Sequence, residues 1–404
     1  MEKMNCLRFC PSPSGALHFG SARTALFNFL LAKASGAKFV LRIEDTDRKR
    51  SKKEYEDNII QGLKWLGIEW DEFYRQSERN GVYQDYADFL ISIDRAYLED
   101  GAIKFRVDKK EVKFHDLVRG EIKFNLALQE DFVLIKSDGS PGFHWANVVD
   151  DYDMGITHII RGEDHIPNTP KQIQLYQAMG WNTPQYGHIS LILGMDKSKL
   201  SKRNGAKSIE QFQHGGYLPK AVFNFLALLG WSDEEGREIL TKQELIDVYH
   251  INRVSKSNSI FDPTKLEWMN KEYIKRLTPE GLSTFVPNGD PKLAELIQEK
   301  LTTLCDIQKW TTFLSEPSHQ GIPPKWFHEF VKTIILESNM EFKTAVEEFI
   351  RFTGIDKGLV YSAIRYALTA EESGLPLFKV FDYLGRKEAI RRMKKWAVRL
   401  SMNI

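Results

Sequence analysis

Two segments hold most of the chemistry available to this chain. Near the N-terminus, Arg8-Phe9-Cys10-Pro11-Ser12-Pro13-Ser14-Gly15 leads into His18-Phe19-Gly20, where a helical apolar periodicity begins. A helix start offers unpaired N–H groups and the positive end of a dipole, so it attracts phosphate. Gly20 lets a flat base or ribose approach the backbone, and His18 can donate to phosphate oxygens in a transition state. Far downstream stands Lys199-Leu200-Ser201-Lys202-Arg203, followed by the turn residues Asn204-Gly205. Lysines at i and i+3 can embrace a triphosphate and neutralise charge as pyrophosphate leaves. Alone, the first segment reads more readily as a glycine-rich turn and the second as a solvated basic loop. Together they describe a nucleoside triphosphate site assembled from two distant loops.

Two familiar alternatives fail: Gly15-x4-Gly20-Ser21 lacks the lysine of a P-loop, and no Gly-x-Gly-x-x-Gly is present. A third group of residues suits a small acidic ligand. Arg8 and Arg161, each expected at a strand end, can pair with carboxylates. Glu44, at the end of the next strand, can hold an ammonium group, although its acidic run Glu44-Asp45-Thr46-Asp47 fits a structural ion pair as well.

The elements that must position these groups read as follows. Leu7–Cys10 is a short strand stopped by Pro11, Ala22 to Leu30 recur at helical spacing until Gly36, and Lys38–Ile43 is a buried strand. Strand, loop, helix and strand in this order make a βαβ unit of a parallel sheet, with ligands at the strand ends. Residues 54–66 and 82–99 read as amphipathic helices. Ile103–Val107, Glu111–Phe114, Glu121–Phe124 and Phe132–Lys136 read as short strands of a small β-rich insertion. Gly155–Ile160 and Ile189–Leu193 return to the sheet. After about residue 217 the chain is predominantly helical, with bundle helices expected over 297–315, 325–353 and 376–400. The fold class is therefore an α/β Rossmann-like parallel sheet with a small β-rich insertion, followed by an all-α C-terminal region. The expected divisions are a first half of the sheet domain (1–96), a short connective insertion (97–136), a second half of the sheet domain (137–206) and two helical regions (207–275 and 276–404).

Composition bounds the class. The 404 residues are 42% hydrophobic and 27% charged, with nine Trp, 14 Tyr and 25 Phe, enough for more than one core. A net charge of +1 gives no polyanion signal by itself, so a nucleic-acid surface must come from local clustering. Such a cluster exists: Arg386, Lys387, Arg391, Arg392, Lys394, Lys395 and Arg399 crowd one helical stretch that holds a single acid, Glu388. Cys6, Cys10 and Cys305 cannot form a disulfide framework, which suits a reducing, cytoplasmic compartment. No apolar stretch reaches the roughly 18 residues a membrane span needs, so no membrane partner is expected.

With these residues in view, the chain resembles class I aminoacyl-tRNA synthetases, and among them the bacterial-type glutamyl-tRNA synthetases. His18-Phe19-Gly20-Ser21 is similar to the family's HIGH signature, and Lys199-Leu200-Ser201-Lys202-Arg203 to its KMSKS loop. Arg42-Ile43-Glu44-Asp45-Thr46-Asp47-Arg48, Arg75-Gln76-Ser77-Glu78-Arg79 and Ile160-Arg161-Gly162-Glu163-Asp164-His165 extend the match. The resemblance implies ATP-dependent activation of glutamate as an adenylate and transfer to the 3′ end of tRNA. It implies that His18, Gly20, Lys199 and Lys202 bind ATP and form the catalytic set, with Mg²⁺. It places Arg8, Ser12, Glu44, Phe143, Asn147 and Arg161 around glutamate, and makes 207–275 a stem-contact and 276–404 an anticodon-binding region. The charge of the last helix, not the resemblance, makes Arg386, Arg391, Arg392, Lys394 and Lys395 candidate tRNA contacts, with a solvated terminal helix as the alternative. A glutamate-acceptor tRNA is the expected partner, a glutamine acceptor a further one, and a monomer the expected state. The rival readings are a paralogue serving a different acceptor and a silent tRNA-binding protein.

Two departures stand out. Where the family usually carries Thr-Tyr, this chain has Gly142-Phe143, so a hydroxyl donor to the substrate is missing; one charge-assisted hydrogen bond is worth about 1.5–3 kcal/mol. Between Tyr97 and Phe105 the chain passes almost directly from helix to strand, where the family carries a sizeable acceptor-stem insertion, in some members with a zinc knuckle. No such cysteines are present, so no zinc or other protein-bound metal is expected.

Overall fold

The central strands of the sheet are buried along nearly their whole length, as strands covered on both faces are, even where they carry Arg8, Arg42 and Arg161. The computed structural model describes residues 4–200, 208–336 and 340–400, and the chain divides into two compact units, Met1–Met269 and Asn270–Ile404.

In the first unit, β1 (Cys6–Phe9) is buried throughout and leads through the Pro-Ser loop into α1 (Phe19–Ser35). That helix is buried along most of its length, its own Phe19, Leu26, Phe27, Phe29 and Leu30 all withdrawn from solvent, so it lies inside the fold. Gly36 stops it at φ 69°, returning its N–H to the carbonyls of Ala32 and Lys33. Then follow β2 (Lys38–Ile43), α2 (Lys53–Trp65), β3 (Glu72–Arg75) and α3 (Asn80–Ser92). The helix expected over 82–99 ends at Ser92, because Asp94 takes φ 57° and turns the chain into β4 (Ala96–Glu99). Asp100 and Gly101, both at positive φ, close a tight hairpin to β5 (Ala102–Phe105). The passage there is thus strand to strand, not helix to strand.

The short strands that follow do not form one insertion. β6 (Glu111–Asp116) and β7 (Gly120–Asn125) make a hairpin, and β8 (Phe132–Ile135) pairs with β5. After α4 (Phe143–Asp153) come β9 (His158–Gly162), α5 (Thr169–Met179) and β10 (Gln185–Ile189). The main sheet runs β3-β2-β1-β9-β10-β6-β7, parallel except for the β6–β7 pair. The β6–β7 hairpin therefore extends the central sheet, while β4-β5-β8 form a separate antiparallel sheet. The single strand expected over Ile189–Leu193 is broken: β11 (Ile192–Leu193) leaves the sheet to pair with β12 (Ser259–Ile260). Between them lie α6 (Ile209–His214), α7 (Pro219–Leu228) and α8 (Lys242–Val248). Helix α9 (Pro263–Lys275) runs across the boundary of the two units.

The second unit is helical. It contains α10 (Pro279–Ser283), α11 (Pro291–Ile297), α12 (Asp306–Trp310), α13 (Phe327–Leu336), α14 (Phe342–Thr353), α15 (Lys357–Thr369), α16 (Leu377–Leu384) and α17 (Arg386–Ala397). Its core holds Phe327, Phe330, Val346, Ile364, Val380 and Met393. Each long helix expected here is interrupted. In 297–315 the carboxylate of Asp306 caps the backbone N–H groups of Thr302 and Thr303, both at 2.8 Å, so a short helix starts afresh. Residues 325–353 form two helices, and Gly385 at φ 75° separates α16 from α17.

Candidate active site

At β1 the strand order changes direction: the chain winds through β2 and β3 on one side and through β9 and β10 on the other. Such switch points open a crevice beyond the carboxyl ends of the strands. Arg8 lies near the end of β1, Arg161 near the end of β9, and Glu44 directly follows β2. The three candidate charges thus come from three adjacent strands.

Their partners differ. Arg8 is buried and forks onto Asp151, with Nε at 3.2 Å and one Nη at 3.4 Å. Its expected carboxylate partner therefore already exists inside the protein. Arg42, fully buried, reaches the same Asp151 at 2.7 Å, Asn147 at 3.2 Å and Glu44 at 3.3 Å. Asp150 closes this network, accepting from Gln76 and Arg79 at 2.8 Å and from Tyr83. Burial raises the Glu44 pKa, opposed by Arg42 and Arg8. In Asp151 the two arginines prevail over burial and hold the pKa below the usual carboxylate value.

Arg161 is the exception. It is 6% exposed, yet its hydrogen-bond partners are neutral: Nε donates to His188 Nε2 at 3.1 Å, and Nη2 to Thr169 Oγ1 at 2.7 Å and the His165 carbonyl at 3.4 Å. The guanidinium also lies 5.1 Å from the centre of the Tyr186 ring. Among the described residues no carboxylate reaches it within ion-pair distance, and its Nη1 has no protein partner. Burial without a counter-charge pulls its pKa down to about 10.

Helix α4 supplies one wall. Phe143, Asn147, Asp150 and Asp151 recur at helical spacing on one face. The start of α4 is pressed against β8: the Gly142 N–H meets the Leu134 carbonyl at 2.6 Å, and a Cβ at 142 would lie 2.4 Å from the Val133 carbonyl oxygen. Glycine is thus required here by close backbone approach. Phe143 is 45% exposed, with its ring 6.2 Å from that of His165 and 28° from parallel. Burial, reinforced by neighbouring cations, lowers the pKa of both His144 and His165 to about 4. Asn147 is engaged by Arg42 and by its own donation to the Phe143 carbonyl at 3.1 Å, while Ser12 stands exposed after β1.

The second candidate set lies at the start of α1. His18 is its N-cap: Nδ1 accepts from the Ser21 N–H at 3.2 Å, and Nε2 lies 2.9 Å from the Ser21 hydroxyl. That pattern assigns the proton to Nε2. Although one side of the ring is open to solvent, partial withdrawal from water and then the Lys199 cation lower its pKa. A Cβ on residue 20 would come 3.3 Å from Cε1 and Nδ1 of this imidazole, so Gly20 leaves room for the His18 ring itself. Lys199 is exposed and 3.7 Å from Asp164; Ser201, Lys202 and Arg203 lie outside the described residues.

The candidate RNA-binding helix is more committed than its charge suggested. Arg392 is buried and donates to the carbonyls of Phe313 and Leu368, and Arg386 donates to those of Ile334 and Met340. Arg391 and Lys395 are held by Glu316, which the single-helix count of acids missed. Of the five candidates, Arg392 is buried and Arg386 half-buried, both bonded to backbone carbonyls, while Lys394 is exposed. Among the described residues no group of three or more His, Cys, Asp or Glu is arranged to hold a metal, and no helix is long and apolar enough to cross a membrane.

Comparison with known proteins follows this geometry. The model for the catalytic domain of class I tRNA synthetases of the E and Q type matches residues 6–102 and 99–268, and an anticodon-binding-domain model matches 258–397. The fold and site therefore define a class I aminoacyl-tRNA synthetase. Glutamate–tRNA ligase 1 of Fervidobacterium nodosum is 38% identical, with 96% of this chain and 98% of that protein covered. The glutamate–tRNA ligase of Aquifex aeolicus is 37% identical, covering 98% and 99%. A crystal structure of a glutamate tRNA ligase from Elizabethkingia meningosepticum in complex with its amino acid superposes with a TM-score of 0.89 at 28% identity, covering 98% of this chain and all of that one. The chain belongs to the bacterial-type glutamate–tRNA ligases. Its alignments with the first two relatives run over 466 and 469 positions, more than its own 404 residues, so those relatives carry segments it lacks.

Proposed function

We propose that this glutamate–tRNA ligase binds its amino acid between Arg8 and Arg161, with Ser12, Glu44, Phe143 and Asn147 completing the pocket. The observation that carries this reading is Arg161, a buried cation among neutral partners with one nitrogen uncommitted. A ligand carboxylate supplies the missing charge and gains a desolvated, charge-assisted bond. Arg8 offers its remaining nitrogen to the second carboxylate, and Glu44 takes the ammonium.

His18, Gly20, Lys199 and Lys202 serve ATP. The α1 start receives phosphate, and the His18 Nε2–H donates to it once turned from Ser21. A glutamate carboxylate oxygen bonds to the α-phosphorus as pyrophosphate departs; the terminal ribose hydroxyl of tRNA then attacks the acyl carbon and releases AMP. Mg²⁺ bound to ATP would supply charge neutralisation on the phosphates; this chain's residues contribute position and hydrogen bonds. The enzyme works as a cytoplasmic monomer on a glutamate-acceptor tRNA, and a glutamine acceptor is the competing substrate.

The test is ATP–pyrophosphate exchange and tRNA charging with glutamate, glutamine and aspartate, using separate glutamate- and glutamine-acceptor transcripts. Glutamate-specific exchange that Arg161→Met abolishes supports the pocket. Undiminished exchange in that variant overturns it.

A further inference from the structure

Behind Arg161 lies a buried relay that the reaction as described does not use. Asp116 ends β6 and His188 lies on the adjacent β10; they are 1% and 0% exposed. Asp116 Oδ2 meets His188 Nδ1 at 2.6 Å. Asp116 Oδ1 accepts three backbone N–H groups, from Val118 at 2.9 Å, Arg119 at 2.8 Å and His188 at 3.2 Å. The carboxylate is thus fixed, and its free oxygen can only accept. The proton of neutral His188 therefore sits on Nδ1, which leaves a lone pair on Nε2 to receive Arg161 Nε–H at 3.1 Å. Thr169 closes the group: its hydroxyl oxygen accepts from Arg161 Nη2 at 2.7 Å and lies 3.2 Å from His188 Nε2. The Tyr186 ring, 6° from parallel to the imidazole, covers one side and also carries the guanidinium.

We propose that Asp116 and His188 are positioning residues for glutamate recognition: Asp116 fixes the His188 tautomer, and that tautomer aims the Arg161 guanidinium at the substrate carboxylate. The inference rests on the reading that Arg161 binds glutamate. With the opposite tautomer, two N–H groups would face each other between His188 and Arg161, and the guanidinium would swing away from its line. An aspartate that selects a histidine tautomer without exchanging protons is an established device where the histidine is itself the reacting base; here it acts one residue further back, on a binding arginine.

Asp116→Asn isolates the effect. Its amide oxygen can keep the backbone N–H groups of Val118 and Arg119, while its NH₂ faces His188 Nδ1 and forces the proton to Nε2. In exchange assays with tRNA present, the expected result is a glutamate KM raised about 10–100-fold, with the ATP KM and kcat within about twofold. A merely structural role would lower the melting temperature and leave the glutamate KM unchanged, and that result overturns the proposal. A second measurement needs no variant: ¹⁵N spectra of histidine-labelled wild-type enzyme should show His188 protonated at Nδ1 alone, and a proton on Nε2 overturns the proposal. Wild-type enzyme without glutamate-dependent exchange would overturn the underlying pocket reading as well. Exchange that depends on Arg161 but tolerates Asp116→Asn would overturn this inference alone.

Discussion

Removing Arg161 should make the empty enzyme more stable while destroying its activity. Its pKa falls from the ordinary 12.5 to about 10 through burial. At about 1.4 kcal/mol per pH unit, the uncompensated charge costs the fold about 3 kcal/mol. The sign is fixed by linkage: the unfolded chain holds this proton more tightly than the folded one, so the cost is present at every pH below about 10. Arg161→Met deletes the charge and keeps a flexible side chain of similar reach. It leaves His188 Nε2 and Thr169 Oγ1 without the guanidinium, but these two are 3.2 Å apart and can bond each other, which limits that loss to about 1–2 kcal/mol. The net gain is about 1–2 kcal/mol, a rise in melting temperature of roughly 3–6 °C for a unit of this size. Thermal unfolding with and without glutamate is the assay. Wild type should gain about 2.7 kcal/mol with glutamate at about 100 times its Kd, and the variant nothing. The order of the two proteins should therefore reverse on adding ligand. A variant that melts below wild type when empty, or that glutamate still stabilises, refutes the argument that this arginine is held in readiness for an anion.

Three further outcomes are expected. His144 and His165 have pKa values lowered to about 4, so their contribution to stability is intact above the ordinary value of 6.5 and is lost as pH falls from 6.5 towards 4; melting curves across that range should show a steep decline, and His144→Phe should soften it. Gly20→Ala should raise helix stability by about 1 kcal/mol through propensity, while its Cβ, 3.3 Å from the His18 ring, displaces the imidazole and lowers kcat about 10–100-fold; unchanged kcat would show that His18 does not act from this position. In the second unit, Arg392→Ala should unmake bonds to two buried carbonyls and destabilise the protein by about 2–4 kcal/mol, whereas Lys394→Ala should leave stability unchanged and reduce the salt dependence of tRNA binding by about one charge.

The parts of this protein that were legible in its sequence are those whose signal is local. The α1 start could be read because Gly20, the apolar spacing after it and the stop at Gly36 lie within one element. Arg8, Glu44 and Arg161 could be read because each sits at the end of its own strand, and a parallel sheet gathers such ends. What stayed hidden is the pairing among them. Nothing around Asp151 shows that it holds both Arg8 and Arg42, since those contacts join β1, β2 and α4 across long stretches of chain. Asp150-Asp151 at helical spacing from Asn147 was the available sign that this face of α4 is polar. Asp116 was harder still, because it belongs to a segment whose short strands read as an insertion, and only the parallel pairing of β6 with β10 brings it to His188. The partners of the basic helix were hidden for the same reason: Glu316 and the carbonyls of Phe313 and Leu368 come from elsewhere in the chain, so a count of charges along one helix could not see them. A cation in a sequence is thus an open question about its counter-charge, and the fold answers it residue by residue. Arg8, Arg42 and Arg391 find protein carboxylates; Arg161 alone of these four finds only neutral partners, which is why the proposed glutamate site is built on it.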